Sequence, residues 1–380
     1  MITYLASAPI KNNSVCLLRI DLNIESPKDL FRLESIIPTM EFLRKKKKRI
    51  VILSHRGRPQ SLQGILNFEY RVSDEDKKKY TLKPFANVLS NRMREKVQFL
   101  DAVNIEDIKD EIQKSGANIF LLENLRFWKE EEIDSVEFGK RLASIGDFYV
   151  NDAFAVSHRA NASVSAITRF LPSYGGLLLK KELENLDMVM HNSKHPLAIL
   201  IGGAKVIDKV GMVKFFWKKA DAFLFGGGSA NTCLAARGIP VGSSLVDEKA
   251  FDDIRPYLAS IKIHLPVDME VLEGKILDIG AKTVSEYAKV IARAKTIIWN
   301  GPMGLFEKKK FSHGTEGIWK AILKNKKAMV IVGGGETLAS LKLLGAKRKV
   351  PKNIFLSTGG GAMLAYLSGE KLPGIEVLKK

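Results

Sequence analysis

The chain has 380 residues, 46% of them hydrophobic and 27% charged, with a formal net charge of +18. That balance excludes a disordered or fibrous chain, and the length suits two domains of ordinary size better than one enlarged core. The first ten residues show no basic segment leading into an apolar run, and no apolar stretch approaches the ~20 residues that span a bilayer, so neither a signal peptide nor a membrane anchor is expected.

Taken in chain order, short apolar runs alternate with stretches of helical spacing. The runs of the first half lie at 15–20, 50–53, 97–100, 119–122 and 148–150. Those of the second half lie at 197–201, 222–225, 261–265, 296–299, 329–332 and 354–356. Between them, 33–43 and 136–145 carry apolar residues at helical intervals. Continuous apolar strands separated by helices predict parallel sheets covered on both faces. Eleven runs exceed one comfortable doubly wound sheet. The expected fold class is therefore α/β, with two Rossmann-like lobes, each a parallel sheet covered by helices. Residues 171–176, rich in Pro and Gly, read as a loop. Residues 177–190, with Leu179, Leu183, Leu186 and Met190 on one stripe, read as a helix joining the lobes. The expected domains are 1–170, a linker and interdomain helix at 171–191, and 192–364. Cys16 and Cys233 are far apart in sequence, and Cys16 falls in an apolar run. Buried free thiols in a reducing compartment, the cytoplasm, are expected. The densest basic run, Arg44 to Arg49, falls where a helix should end before a strand. Cations complement the helix dipole there, and no aromatic residue interleaves, so a nucleic-acid track is disfavoured.

In parallel α/β sheets ligands bind beyond the carboxyl ends of the strands. In the first half these loops carry Asp21 and Asn23, then 54–59 (Ser-His-Arg-Gly-Arg-Pro), Glu123-Asn124-Leu125-Arg126, Asn151-Asp152, and His158-Arg159. Converging arginine forks suit a small polyanion. In the second half the same loops carry glycine: Gly202-Gly203-Ala204-Lys205, Gly226 to Gly228, Asn300-Gly301-Pro302-Met303-Gly304, Gly333 to Gly335, and Gly359 to Gly361. Glycine admits a phosphate close to the backbone, and the N–H groups opening the next helix face the anion. One lobe for a small anion and one for a nucleotide imply group transfer, with lobe closure excluding water. The P-loop pattern, the His-Arg-Asp kinase loop, the dinucleotide fingerprint, the His-Glu-x-x-His pair and the nucleophile elbow are absent from the sequence.

These motifs, in this order and at this spacing, resemble the phosphoglycerate kinase family along nearly the whole chain. The resemblance rests on Arg19-Ile20-Asp21-Leu22-Asn23, the 54–59 motif, Leu121 to Phe127, Asn151 to Phe154 and His158-Arg159-Ala160. It continues through Gly202 to Lys205 with Asp208-Lys209, Trp299 to Gly304, and the glycine triplets near Gly333 and Gly359. It implies reversible phosphoryl transfer from 1,3-bisphosphoglycerate to ADP, giving 3-phosphoglycerate and ATP. Asp21, Asn23, Arg32, His55, Arg58, Arg126 and Arg159 are implied to bind 3-phosphoglycerate. Arg32, Lys205, Gly335 and Gly360 are implied to act in transfer. Lys205, Lys209, Gly226, Gly227, Gly228, Gly280, Asn300, Gly304, Glu307, Gly334, Gly335, Glu336 and Thr337 are implied to hold the nucleotide. Glu336, where the family usually has Asp, is implied to meet the Mg²⁺ that the nucleotide brings. Ile24-Glu25-Ser26 stands where the family usually has Val-Pro and a longer loop. The resemblance also implies a cytoplasmic, hinge-bending monomer with no membrane or nucleic-acid partner, whose tail, 365–380, packs back on the first lobe. The alternative, motivated by the net charge and the 44–49 run, is a catalytically impaired member that binds phosphate-rich ligands or nucleic acid.

Overall fold

A computed structural model describes residues 1–24, 30–59, 72–101, 104–345 and 350–379. Glu25 and Ser26 of the shortened segment, and Lys380 of the tail, lie outside the described residues. The chain divides into two compact units, Met1–Glu182 with Lys371–Lys380, and Leu183–Glu370.

The first unit is built on β1 (Val15–Arg19), β2 (Arg49–Leu53), β3 (Val97–Leu100), β4 (Ile119–Leu122), β5 (Phe148–Asn151) and β6 (Ser173–Gly175). All pairs are parallel, in the order β3-β4-β2-β1-β5-β6. Successive side chains on a strand point to opposite faces. Cys16, Leu18, Ile50 and Ile52 therefore face one core, with Leu33, Met40, Phe85 and Leu89 of helices Leu30–Lys45 and Lys83–Met93. Leu17, Val51, Leu53 and Phe120 face the other, with Ile108, Phe138 and Leu142 of helices Ile105–Lys114 and Val136–Ala143. Both faces are dry, which is why these strands read as unbroken apolar runs. Each such Leu, Ile or Phe contributes roughly 1.5–3 kcal/mol of transfer free energy.

The second unit repeats the plan with β7 (Leu197–Ile201), β8 (Ala222–Phe225), β9 (Ile263–His264), β12 (Thr296–Asn300), β13 (Met329–Gly333) and β14 (Ile354–Leu356). Their parallel order is β14-β13-β12-β7-β8-β9. An antiparallel hairpin, β10 (Met269–Leu272) with β11 (Lys275–Ile279), lies apart from that sheet. In both sheets the order reverses beside the first strand, at β1/β5 and at β7/β12. Such switch points open a crevice at the carboxyl ends.

Three elements differ from the sequence reading. Residues 173–175 form edge strand β6 inside the segment read as a loop: Tyr174 pairs with Val150 and packs edge-on to Phe148, 6.3 Å between ring centroids. The hairpin was not expected. Its turn residues Glu273 and Gly274 take φ of 50° and 72°, a turn chemistry that Asn-Gly announces more clearly than Glu-Gly. The run at 261–265 pairs only over Ile263–His264.

Asn151 and Asp152, grouped by sequence position with the cationic loops, work in packing. Asp152 Oδ1 accepts the Leu179 N–H at 3.0 Å at the start of helix Leu177–His191. The Asn151 carbonyl accepts from Gly176 N–H at 2.8 Å. Asn151 Nδ2 donates to the Gly374 carbonyl at 3.1 Å, tying the C-terminal residues down. Burial raises the Asp152 carboxyl to about 6. Cys16 and Cys233 are buried free thiols.

Candidate active site

In the first unit the loops after β1, β2 and β4 lock onto one another through the predicted residues. Asp21 Oδ2 accepts from Arg32 Nη1 at 2.8 Å, and its Oδ1 accepts the Asn23 N–H at 2.9 Å. Arg32 Nη1 also donates to the Asn23 carbonyl at 3.0 Å. Asn23 Oδ1 accepts the Gly57 N–H at 2.8 Å, and Arg126 Nη1 donates to the Gly57 carbonyl. Asn124 Oδ1 accepts from Arg56 N–H and Arg126 N–H, each at 3.1 Å, so it holds two of these loops in register. His55 is buried, and Arg19, Arg126, Arg159 and Arg32 all bear on it electrostatically. Burial first, and then these cations, hold its imidazole well below the usual histidine range. Arg159 is half-buried and its Nε donates to His158 Nε2 at 3.1 Å. Arg58 is exposed beyond Gly57. The structure therefore brings Asp21, Asn23, Arg32, His55, Arg126 and Arg159 together, with Arg58 at the rim.

Arg19 was quoted in a motif but not as a site residue. Only 1% exposed, it is held by Ser163 Oγ at 2.8 Å and by Glu131, also 1% exposed, at 3.8 Å. Glu131 in turn accepts from Ser163 Oγ at 2.6 Å and Ser163 N–H at 2.9 Å. An arginine ending an otherwise apolar strand was the signal: a buried guanidinium requires a carboxylate. Which one, 112 positions later in sequence, no local pattern shows.

In the second unit a cavity of about 550 Å³ opens at the β7/β12 switch point. Lys205, Lys209, Asn300, Gly334, Gly335, Glu336, Thr337 and Gly360 line it, as do Asp208, Gly301, Gly361 and Glu370, which were not singled out as site residues. Glycine is demanded where the strand ends meet. A Cβ on Gly202 would lie 2.2 Å from the Pro302 carbonyl oxygen, and Gly301, at φ +92°, would press on Gly202 just as closely. Thr337 Oγ1 accepts the Gly301 N–H at 2.7 Å, and Asn300 Nδ2 donates to the Gly333 carbonyl at 3.1 Å. Helices Gly335–Leu343 and Gly361–Leu367 start at the cavity wall, so their free N–H groups meet whatever anion enters. Lys209 is buried and donates to the Lys205 carbonyl at 2.7 Å. Burial depresses its ammonium, opposed by Asp208 and Glu336. Lys205 is exposed, with no side-chain hydrogen bond or ion pair among the described residues. Gly226, Gly280, Gly304 and Glu307 lie on neighbouring loops, and Gly227 and Gly228 open the helix Gly227–Ala236, all outside the cavity lining. Gly226 packs on Met303, Gly280 on Asp268 and Gly304 on Asp278, while Glu307 is exposed.

The sequence model of phosphoglycerate kinase matches residues 6–370. The chain belongs to the phosphoglycerate kinase family. A phosphoglycerate kinase of Leptospira biflexa is 39% identical over 390 residues, covering 95% of this chain and 94% of that protein. One of Dictyoglomus turgidum is 37% identical over 393 residues, covering 96% and 95%. The structure of phosphoglycerate kinase from Coxiella burnetii superposes with a TM-score of 0.81 at 32% identity, covering 100% of this chain and 99% of that one. That of the Pyrococcus horikoshii enzyme gives 0.84 at 28% identity, covering 99% and 98%. The two parallel six-stranded sheets are those of the phosphoglycerate kinase fold.

Within that fold the basic run splits. Arg44 to Lys47 are exposed, whereas Lys48 is buried and donates to the Lys11 carbonyl. This cluster lies at the amino ends of β2 and β4, away from the strand ends that carry the predicted residues. Among the described residues no group of three or more His, Cys, Asp or Glu is placed to hold a metal. Glu336, facing Gly203, shares the cavity wall with the carboxylates of Asp208 and Glu370. That donor set fits a magnesium ion that arrives with most of its oxygen ligands on phosphate and water.

Asp278, on β11 beneath Gly304 and Gly314, offers a pH test of this unit. Its oxygens accept from Ile279 N–H at 2.9 Å and Gly314 N–H at 2.8 Å, yet burial raises it from 3.8 to about 7. Between those values the folded chain keeps a proton that the unfolded chain has lost. The resulting stabilisation is complete below about 4 and disappears as the pH rises through 7. In urea unfolding, the stability difference between wild type and Asp278→Asn is expected to move against the wild type from pH 4 to 7 and then level off. A difference independent of pH would show that Asp278 ionises normally.

Proposed function

We propose that the chain catalyses phosphoryl transfer between 1,3-bisphosphoglycerate and ADP, with 3-phosphoglycerate and ATP as products. The observation that carries this is the cavity of the second unit, where two glycine-opened helices, Lys205, Lys209 and the carboxylate of Glu336 surround space for a nucleotide's phosphates. We assign the 3-phosphoglycerate ligands, Asp21, Asn23, Arg32, His55, Arg58, Arg126 and Arg159, to the first unit, and the nucleotide ligands to the second.

Forward, the bond between phosphorus and the carboxylate oxygen breaks, and a bond from the same phosphorus to a terminal oxygen of ADP forms. The departing electron pair rests on a carboxylate that is ionised at neutral pH, so no general base is needed. The barrier is charge on the moving phosphoryl group and its orientation, which fixed N–H donors and cations lower. Arg32, oriented by Asp21 and the Asn23 carbonyl, and the untethered Lys205 supply cations, and the turns at Gly335 and Gly360 supply backbone donors. Lys209 anchors the turn that carries Lys205. Glu336 would hold Mg²⁺, which, when bound with the nucleotide, supplies further neutralisation of phosphate charge. We place the enzyme in the cytoplasm, a reading supported by its two buried free thiols, and expect a monomer from the family resemblance. No helix of the described residues is long and apolar enough to cross a membrane.

The test is a coupled assay of the purified chain with 3-phosphoglycerate, ATP and Mg²⁺. Turnover is expected, with other carboxylate acceptors in a substrate panel much slower. Absence of turnover, with Mn²⁺ also tried because of Glu336, would overturn the reading.

A further inference from the structure

His55 is a titratable group of the basic cluster that can either donate or accept a hydrogen bond. Which it does depends on where its proton sits. Arg19 Nη2 lies 3.1 Å from His55 Nδ1. A guanidinium has only donors and does not deprotonate in proteins, so the bond has one direction: Arg19 donates and Nδ1 accepts. The remaining proton of the neutral ring is then on Nε2, the nitrogen not engaged by Arg19.

We propose that Arg19 is a positioning residue that holds His55 as the neutral, Nε2-protonated tautomer, so that the ring presents a hydrogen-bond donor to an anionic ligand. The proposal rests on the assignment of His55 to the 3-phosphoglycerate site.

The geometry leaves Arg19 little freedom to do otherwise. Its Nε is taken by Ser163 Oγ at 2.8 Å, its Nη1 by the Ile20 carbonyl at 2.5 Å, and Nη2 reaches both His55 and Glu131. Glu131 fixes Ser163 through both its N–H and its hydroxyl. The ring orientation is thus set by a chain running from Glu131 through Ser163 and Arg19 to His55, all of it buried. Neutrality is enforced from every side. Arg19 bears on the ring from β1, Arg32 from helix Leu30–Lys45, Arg126 from the turn Leu125–Phe127, and Arg159 from the loop after Val156. Each disfavours a second proton, and burial does so most. The imidazole therefore adds a directed donor to the cluster without adding another charge. Loss of one such bond to a phosphate corresponds to roughly a tenfold loss of affinity.

Nitrogen-15 correlation spectra of the full-length, ligand-free protein read the tautomer directly and require no turnover. At neutral pH His55 is expected to show a bare, pyridine-type Nδ1 and a protonated, pyrrole-type Nε2. Arg19→Lys, which retains an obligate donor, is expected to preserve this pattern. The double variant Arg19→Met/Glu131→Gln avoids leaving one buried charge alone. In it the two tautomers are expected to mix, the ring to charge at higher pH, and the KM for 3-phosphoglycerate to rise about tenfold with a smaller change in kcat. A wild-type ring protonated on Nδ1, or doubly protonated at neutral pH, would overturn the proposal. So would a double variant whose tautomer is unchanged. Failure of the kinase assay would instead strike the functional assignment, because the nitrogen shifts are measured without substrate.

Discussion

Lys205→Ala is expected to lower kcat by on the order of a hundredfold or more, with a smaller effect on the KM for ATP. Lys205 follows the Gly202-Gly203-Ala204 turn at the end of β7, its side chain exposed at the wall of the nucleotide cavity. No hydrogen bond or ion pair ties its ammonium down among the described residues, so it can follow charge as the phosphoryl group moves. Lys209, one helical turn on, is buried and bound to the Lys205 carbonyl. It can hold a ground-state phosphate but has less freedom to travel. Lys205→Arg should recover part of the loss, since charge is kept while the point-like ammonium becomes a wider fork. Steady-state kinetics in both directions, with circular dichroism to confirm folding, decide the matter. A kcat equal to wild type would remove Lys205 from the transfer step and make Lys209 the residue to test.

The second large effect is on stability. Glu131→Ala is expected to destabilise the first unit by about 3–5 kcal/mol, because it leaves the Arg19 guanidinium buried without its carboxylate. It also strips the acceptor from Ser163 N–H and Oγ, both buried. Arg19→Met/Glu131→Leu, which removes both charges and fills the space, should lose considerably less. Urea unfolding followed by a probe in the first unit compares them. Equal losses in the single and double variants would mean that the pair's charge contributes little and that packing around residue 131 dominates.

The contrast between these residues shows how far sequence reaches. Lys205, the glycine turns, the arginines after β2 and β4, and the parallel-sheet plan are local features: each is a residue type at the end of a recognisable apolar run. The fold class was legible because strands buried on both faces must be apolar throughout, and because helices between them leave only parallel connections. The basic run at 44–49 was legible as a helix end followed by a strand, although its one buried member, Lys48, was not. Strand β6 was hidden because only its pairing with β5 makes Ser173-Tyr174-Gly175 a strand. The β10–β11 hairpin was hidden because Glu-Gly is a weak turn signal.

The sequence by itself determined the two-sheet α/β architecture, the family, and the list of charged and glycine residues at strand ends, since these depend on periodicity and on neighbours a few positions away. Tertiary structure alone decided which partners those residues meet. It sends Asp152 to the start of a helix and Asn151 to the C-terminal residues. It joins Glu131, Ser163, Arg19 and His55, residues up to 144 positions apart, into one hydrogen-bonded chain. A buried charge or a ring tautomer is set by whatever group the fold brings within 3 Å or 4 Å, and that distance is not encoded in any local pattern.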